Sequence, residues 1–593
     1  MKKRILSFTL AMMMVLSLTA CGSSDNSKNE QANSSESGKY KAGTYEGTAK
    51  GFGGDIKATV TLSENAIESI TVEGDKETQG IGSVAVEQLP QEMVKKQAVE
   101  IDGISGATKS SGAIKEAVTN ALKEAGVDAS KLVAIEDSKT EAKKETLDVD
   151  VVVVGAGGAG MTAAIQAKEA GMNVIIVEKA AYAGGNTSRA TGGMNAAETS
   201  VQKKLGIEDT VETFIKDTME GGYNLNNLDL VTKMCEESAD AIDWLDSIGA
   251  PLNEVSFSGG ATNKRIHRPE GGTGVGAYLV NAFVKKIDEY QIPVYYNTKA
   301  TEILMDGNKA VGILAESSET NYTINASSVI LATGGFGANE ELYTQYKPEL
   351  KGYVTTNVAS ATGDGIVMAT QVGANTVDME QIQIHPTVEQ STSLLITESV
   401  RGDGAILVNQ SGVRFGDELR TRDVVSASII EQEGSYAYLI FDQQLRDVLS
   451  AVEKYIDNGI VAQAKTIEEL AKEIDMDSAT LAKTVADWNK AVASKNDKEF
   501  GRDTGMEHDI SVGPYYAIKI APGVHHTMGG LEINTNSEVI NTDGAVINGL
   551  FAAGEVTGGI HGGNRIGGTA VTDIVVFGRV AGNSAAEYVS KLK

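Results

Sequence analysis

A glycine-rich turn between a buried strand and a helix constrains the fold of this chain more than any other feature. The run Asp148–Val154 is rich in valine, as in a strand buried on both faces, and a G-x-G-x-x-G segment follows at 155–160. A helix and a second strand at 173–177 come next, ending in Glu178. The glycines allow a tight turn and a close approach of the backbone to a pyrophosphate, and the helix N-terminus favours its charge. The pattern predicts an α/β domain that binds FAD or NAD, with Glu178 at a ribose hydroxyl.

The composition argues against several classes of function. The 52 Lys and Arg residues against 80 Asp and Glu give a formal charge of −28, and no basic patch stands out, so nucleic acid is not expected as a partner. The two cysteines, Cys21 and Cys235, form no disulfide framework, and we expect Cys235 to be buried in an apolar helix at 228–249. There is no C-x-x-C-H haem attachment motif, and we predict no metal site. At 593 residues the chain is expected to fold as several domains.

The first 38 residues have the pattern of an export signal and a tether. Lys2-Lys3-Arg4 precedes an apolar core that is too short for a membrane span. The core ends in Leu18-Thr19-Ala20-Cys21, which resembles a bacterial lipobox and implies cleavage before Cys21 and a lipid on its thiol; a plain secretory signal is the alternative. The polar residues that follow cannot form a core. We therefore expect an exported protein, lipid-anchored to the outer face of the bacterial cell membrane.

A small α+β domain is predicted after the tether, from strands at 56–62 and 67–72 and a helix at 113–125. Between the strands and the helix lies the segment DGISGAT, residues 102–108. It resembles the flavinylation motif of FMN-binding domains in respiratory sodium-pumping and electron-transfer proteins. The resemblance implies FMN esterified through its phosphate to Thr108 by a flavin transferase. The motif residues at the flavin would be Ser105, Gly106, Ala107 and Thr108. A bare helix N-cap is the alternative interpretation.

Three later segments resemble the fumarate reductase and succinate dehydrogenase family of flavoproteins, in the family's order: Gly184–Met194, Val329–Gly335 and Gly549–Glu555. The resemblance implies that the dinucleotide is FAD. Covalent relatives carry His where this chain has Asn186, so the FAD is expected to be non-covalent. The implied FAD-binding residues are Gly155, Gly157, Ala159, Gly160, Glu178, Asn186, Thr187, Gly192, Gly193, Asp364, His526, Glu555, Ala570 and Val571.

From about Asp148 to the C-terminus, the chain resembles the soluble flavocytochrome c type of fumarate reductase. The implied fold is an FAD-binding Rossmann-like α/β domain with an inserted mobile capping α+β domain, preceded by the small FMN-binding domain in place of a haem domain. The predicted boundaries are 1–21 for the lipoprotein signal peptide, 22–38 for the tether, 39–126 for the FMN-binding domain, 127–147 for a linker, 148–377 and 524–593 for the FAD-binding domain, and 378–523 for the capping domain.

The resemblance also implies the residues of the reaction. Arg422 would be the general acid in the reduction of a C=C bond by hydride from flavin N5, and Glu398 and Arg401 would return its proton. The substrate carboxylates would be held by His385, Thr397, His525, Arg565 and Gly568. Arg414 and Arg420, in the same charged stretch, are expected to make ordinary ion pairs. Leu395 stands where the family carries Met, which leaves the local substrate shape open.

The expected function is reduction of fumarate to succinate in anaerobic respiration, with electrons passing from a membrane donor (a quinol or another flavoprotein) through FMN to FAD. There is no third nucleotide fold in the sequence, so direct oxidation of NADH is not expected. One alternative is another α,β-unsaturated carboxylate, such as urocanate, acrylate, methacrylate or cinnamate; relatives of that kind tend to change the His385 or Glu398 position. A non-catalytic flavin electron carrier is the alternative from another class.

Overall fold

The structure is a computed structural model that describes residues 40–77, 82–104, 107–135, 142–257, 260–271 and 273–593. The predicted signal peptide, the tether, Cys21, Ser105 and Gly106 lie outside the described residues. Within those ranges, no helix combines the length and the apolar character needed to cross a bilayer.

The first domain is a three-stranded antiparallel sheet covered by two helices. Its elements are β1 (Gly43–Lys50), β2 (Asp55–Leu62), β3 (Ile67–Glu73), α1 (Gly82–Lys96) and α2 (Thr108–Glu124). Alternate residues of β2, from Ile56 to Leu62, are buried against the helices, as a half-buried strand requires. Helix α2 begins at Thr108, five residues before the predicted start at Ala113. Thr108 is therefore the first residue of a helix, where backbone N–H groups have no intrahelical acceptor.

The second domain is built on an eight-stranded sheet of order β10-β11-β21-β12-β4-β5-β9, in which β20 (Glu538–Ile540) pairs with β21 (Val546–Ala552). Its first elements are β4 (Lys143–Val154), α3 (Gly158–Glu169), β5 (Val174–Val177), β6 (Met194–Asn195), α4 (Ser200–Leu205), α5 (Val211–Gly221), α6 (Leu228–Glu236), α7 (Ser238–Ser247), β7 (Glu254–Ser256), β8 (Ile266–Arg268), α8 (Val275–Glu289), β9 (Val294–Tyr295), β10 (Lys299–Asp306), β11 (Lys309–Glu316), β12 (Thr320–Leu331), α9 (Glu340–Tyr346), α10 (Asp364–Gln371) and β13 (Thr376–Val377). Strands β21, β12, β4, β5 and β9 are parallel neighbours, so their carboxyl ends meet at one edge of the sheet. Ligands of open α/β sheets bind at that edge.

Two predictions about this domain need correction. Residues 143–147 were expected in the linker, but they begin β4, because their backbone continues the parallel pairing with β12 from Thr320 to Leu331. That pairing involves backbone groups, so charged side chains do not interrupt it. The single helix predicted at 228–249 is two helices, α6 and α7, separated at Glu237. Cys235 is buried in α6 as expected, and its burial raises the pKa of its thiol.

A third sheet, of order β14-β18-β16-β15 with β17 paired to β18, forms the capping region. Its elements are β14 (Ile382–Val388), α11 (Glu398–Gly402), β15 (Ile406–Val408), α12 (Arg422–Ile430), β16 (Ala437–Asp442), α13 (Gln443–Val448), α14 (Ala451–Asp457), β17 (Ala462–Ala464), α15 (Ile467–Glu473), α16 (Ser478–Ser494) and β18 (Tyr515–Thr527). The chain ends with β19 (Gly530–Leu531), β20 (Glu538–Ile540), β21 (Val546–Ala552) and α17 (Thr569–Leu592). Leu407 packs in one apolar cluster while its neighbours Ile406 and Val408 pack in another, so this sheet is buried on both faces. Strand β18 crosses the predicted boundary at 523/524.

Candidate active site

A cleft opens at the carboxyl ends of β4, β5 and β12. Eight of the predicted FAD-binding residues line it: Gly155, Gly157, Ala159, Glu178, Asn186, Thr187, Asp364 and Glu555. Its lining also includes Lys299, whose ammonium lies 3.8 Å from Asp364 Oδ1. The remaining predicted FAD residues, Gly160, Gly192, Gly193, His526, Ala570 and Val571, are not part of this lining.

Gly155 and Gly157, both in the first turn, are glycines for different physical reasons. Gly155 has φ of +107°, and a Cβ there would lie 2.4 Å from the carbonyl oxygen of Ala332, so the fold itself requires glycine. At Gly157 the nearest such atom is 4.0 Å away, so the fold leaves room for a side chain. Gly157 is also the N-cap of α3 and provides no side-chain cap. The free helix N-terminus and the open space beside it fit a pyrophosphate.

Polar groups are fixed at both ends of the cleft. At one end, the Glu178 carboxylate accepts from the backbone N–H groups of Ala156 and Ala180, both at 2.7 Å. At the other end, Asn186 Nδ2 donates to Glu555 Oε2 at 3.1 Å. Burial raises the pKa of both carboxyl groups. Such desolvated groups at fixed positions fit a ligand with several hydroxyl and amide groups, and the arrangement fits FAD.

The predicted FMN attachment site is also suited to its ligand in the part that the structure describes. Thr108 is exposed as the first residue of α2, and the N-cap residue Ala107 is buried and provides no side-chain cap. The first-turn N–H groups of a 17-residue helix are thus available to a phosphate beside the threonine hydroxyl. A bare helix N-terminus would show the same features, so attachment of a flavin stays a prediction.

Two predicted substrate ligands are neighbouring histidines on adjacent strands. His385 on β14 is buried, and its ring centroid lies 5.5 Å from that of His525 on β18. Burial, and then the charge of Arg422, hold the pKa of each imidazole well below its usual value. Both rings are therefore neutral at physiological pH and can each donate one hydrogen bond. The Thr356 hydroxyl lies 2.7 Å from Nδ1 of His525 and fixes the orientation of that ring.

Two predicted arginines converge on one glutamine that the sequence did not indicate. Arg422 Nη1 donates to Gln383 Oε1 at 2.8 Å, and Arg565 Nη2 donates to the same oxygen at 3.2 Å. The Gln383 side chain is buried, and its Nε2 donates to Asn564 and to the carbonyl oxygen of Arg565. Burial and the nearby Arg422 lower the pKa of Arg565 to about 9, so the two cations lie in a site with too little negative charge.

Arg422 is also tied to the predicted proton relay. Its Nε donates to Glu398 Oε1 at 2.7 Å, and Arg401 Nη2 lies 3.9 Å from the same oxygen. Although burial acts in the opposite direction, Arg422, His385 and Arg401 together hold the pKa of Glu398 well below its usual range. The Glu398 side chain is 45% exposed, whereas that of Arg422 is 13% exposed. Part of the Glu398 side chain therefore reaches solvent, while its carboxylate is paired with the guanidinium.

The other predicted site residues differ in how directly they reach this cluster. Thr397 is the N-cap of α11, and its backbone N–H donates to Tyr455 Oη at 2.9 Å. Gly568, with φ of +87°, is the N-cap of α17 and precedes Ala570 and Val571 in its first turn. His526 lies on the strand after His525, with Nδ1 3.6 Å from Glu555 Oε1. The Nε atoms of Arg565 and Arg401 and Nε2 of His526 are buried without a hydrogen-bond partner. Those unsatisfied polar atoms are what an anionic substrate and a flavin would satisfy.

Arg414 and Arg420 lie outside the cluster. Arg414 is buried, and it pairs with Glu418 at 2.8 Å and with Asp497 at 3.1 Å. Its guanidinium also lies over the ring of Trp488. Arg420 is exposed. The charged stretch 397–422 therefore contains both a structural arginine and site arginines.

Comparison with known proteins places this site in a class. A family model described as "FAD binding domain" matches residues 150–571, and one described as "FMN-binding domain" matches residues 51–123. The chain is thus a flavoprotein with an FAD-binding and an FMN-binding domain. It belongs to the flavoprotein family that contains the flavocytochrome-type fumarate reductases.

Three similar proteins support this family assignment. An NADH:fumarate oxidoreductase of Klebsiella pneumoniae is 44% identical over 550 residues, which cover 93% of this chain and 59% of that protein. A urocanate reductase of Eggerthella lenta is 38% identical over 588 residues and 96% of both chains. A solved structure of the open conformation of a flavocytochrome c3 fumarate reductase is 45% identical, covers 75% of this chain and 79% of its own, and has a TM-score of 0.68. The predicted family and fold class are confirmed. The chain spans only about three fifths of the Klebsiella protein.

Proposed function

We propose that this protein reduces fumarate to succinate, using FAD held in the cleft and electrons that arrive from a membrane donor through FMN on Thr108. The observation that carries the proposal is the pair of arginines on Gln383. Arg422 and Arg565 share a neutral acceptor, and Arg401 adds a third guanidinium. Among the residues that the structure describes, Glu398 is the one carboxylate that forms an ion pair with these arginines. A substrate with two carboxylates supplies the charge that this site lacks.

The reaction follows from the positions of the side chains. When bound, FAD supplies the hydride for one carbon of the double bond. Arg422 supplies the proton for the other carbon, and its hydrogen bond to Glu398 gives the route by which that proton is replaced. The exposure of Glu398 connects this route to solvent. Arg565 and the neutral histidines hold the carboxylate on which negative charge develops during hydride addition.

A second candidate is the reduction of another enoate, favoured by the urocanate reductase that matches this chain over nearly its whole length. Urocanate, acrylate, methacrylate and cinnamate each carry one carboxylate. With Glu398, one substrate carboxylate gives two negative charges against the three guanidinium groups of Arg401, Arg422 and Arg565, and an unmatched charge is costly in a buried site. The two carboxylates of fumarate balance all three. A flavin carrier without turnover would not need His385, His525, Arg422 and Arg565 in one cluster.

The N-terminal part of the chain determines where the protein is located and how it receives electrons in this proposal. The lipobox-like segment ending at Cys21 supports an exported protein, anchored by lipid to the outer face of the membrane. Attachment of FMN by a flavin transferase would place a second flavin on the same chain. A quinol or another flavoprotein in the membrane is the donor that this location favours.

Enoate specificity tests the activity. The purified protein with its flavins is given reduced viologen and, in turn, fumarate, urocanate, acrylate, methacrylate and cinnamate. We expect the highest kcat/KM with fumarate. If fumarate is reduced no faster than urocanate or cinnamate, the dicarboxylate assignment is wrong.

FMN attachment is tested separately. After denaturation, covalent flavin is visible by in-gel fluorescence, and we expect Thr108→Ala to abolish it. The same variant should still reduce fumarate with viologen, since the dye can reach FAD directly. Covalent flavin in the variant would refute attachment at Thr108.

A further inference from the structure

The FMN-binding domain touches the capping region at one short helix. Lys109, the neighbour of Thr108, donates from Nζ to Asn458 Oδ1 at 2.6 Å, and Asn458 is the C-cap of α14. The ammonium of Lys454, also on α14, lies 4.8 Å from the ring centroid of Phe52. Phe52 follows β1, and Lys109 is in the first turn of α2, so two separate segments of the first domain meet the same helix.

The other contacts of α14 lead into the active site. Tyr455 is buried, and its hydroxyl accepts from the backbone N–H of Thr397, a predicted substrate ligand. Partial burial and the nearby charge of Arg189 lower the pKa of Lys454. Arg189 ends the short helical segment that begins at Gly185, beside Asn186 of the FAD cleft. Arg189 Nη1 also donates to the carbonyl oxygens of Thr356 and Asn357. Helix α14 is therefore next to Lys109, to Thr397 and to Arg189.

We infer that α14, with Asn458 at its end, is the docking surface for the FMN-carrying domain, and that this docked arrangement is the one in which electrons pass to the FAD site. The inference rests on the proposed function, since it needs FMN on Thr108. Thr108 is exposed beside the contact, so docking fixes the attachment residue at the surface of the capping region. A polar hydrogen bond and a cation–π contact with exposed partners are weak interactions. Docking is therefore reversible, which lets the same domain reach a donor in the membrane.

Cross-linking tests the surface without depending on any flavin. The double variant Lys109→Cys with Asn458→Cys is treated with a short bis-maleimide, and cross-linked peptides are counted by mass spectrometry. The matched control pairs Lys123→Cys with Asn458→Cys, since Lys123 is exposed on the same helix but about 20 Å further along it. Both proteins keep Cys21 and the buried Cys235. We expect the first pair to be linked in preference to the second. Equal yields would overturn the proposed surface.

Electron transfer is measured by reoxidation. The fully reduced protein is mixed with fumarate in the absence of oxygen, so that FAD is reoxidised first and FMN loses its two electrons only by way of FAD. Asn458→Lys places a second cation against Lys109, and we expect it to slow the FMN phase by roughly tenfold while the FAD phase is unchanged. Asn458→Gln keeps the acceptor and should behave as the wild type. Asn496→Lys, an equal change at an exposed position after α16, should alter neither phase.

The outcomes separate this inference from the function beneath it. A protein that carries no FMN phase at all refutes the proposed attachment, yet its cross-linking result still decides the docking surface. An FMN phase that Asn458→Lys leaves unchanged refutes docking on α14 and leaves the proposed reduction of fumarate intact.

Discussion

Arg422 and Arg565 donate to the same oxygen, Oε1 of Gln383, although the three residues lie far apart in the chain. The shared acceptor holds both guanidinium groups within hydrogen-bond distance of one neutral oxygen. Gln383→Leu removes this acceptor, and we expect kcat/KM for fumarate to fall by about 10- to 100-fold, since hydrogen bonds to charged groups are lost.

Gln383→Glu should instead raise KM more than it lowers kcat, because the new carboxylate competes with the substrate. Gln463→Leu, on the exposed face of β17, is the control. An unchanged KM in Gln383→Glu would contradict this role.

Arg422 and Arg420 allow a direct test of the general acid. Arg422→Ala removes the group that contacts Glu398 and Gln383, and we expect kcat to fall by about 10²- to 10⁴-fold. Arg420→Ala removes an exposed guanidinium two positions away and should leave kcat unchanged. Steady-state rates with reduced viologen give the comparison, and thermal melting confirms that both variants fold. Full activity of Arg422→Ala would exclude it as the proton donor.

The pKa of Arg565 predicts a pH dependence of substrate binding. Burial and Arg422 lower this pKa to about 9, so the free protein loses the Arg565 charge as the pH rises through that value. A dicarboxylate binds the charged form and raises the pKa again. We therefore expect KM for fumarate to increase above about pH 9, with kcat affected less. A KM that stays constant from about pH 8 to about pH 10, in protein shown by circular dichroism to remain folded, would contradict the assignment.

Arg414 predicts an effect on stability rather than on chemistry. Arg414→Met removes the ion-pair partner of buried Asp497 and leaves Glu418 paired with Arg502 alone. Breaking such a buried pair costs about 3–5 kcal/mol, so we expect a lower melting temperature. Lys483→Met breaks an exposed pair with Asp487 and should leave the melting temperature nearly unchanged, because solvent screens that pair. Equal melting temperatures for the two variants would refute a structural role for Arg414.

The sequence predicted those parts of the fold that local patterns encode. The strand ending at Val154, the glycine turn and α3 follow from valines, glycines and an apolar helix, all within one short segment. The start of β4 at Lys143 could not be predicted, because it depends on backbone pairing with Thr320, which leaves no mark on the charged side chains. The break at Glu237 could not be predicted either, because the apolar residues keep the same helical spacing on both sides of it.

The family resemblance indicated His385, His525, Arg422 and Arg565, which the structure brings close together, but it did not indicate Gln383. Gln383 lies two positions from His385 in the chain, but its importance comes from guanidiniums that are 39 and 182 residues away. Arg414 and Arg422 are the same residue type in one charged stretch, and the buried partners Glu418 and Asp497 distinguish them. Neither difference is visible before the chain is folded.

Strand β18 carries His525, which faces the substrate cluster, and His526, which lies beside Glu555 and His561. The pairing of β14 with β18 shifts register between Val524 and Thr527, so the backbone at this irregularity sets which way each imidazole faces. A single inserted residue here would change the direction of both rings. The backbone of β18 thus positions one side chain for each binding site. Insertions or deletions in this strand should be far less tolerated than substitutions.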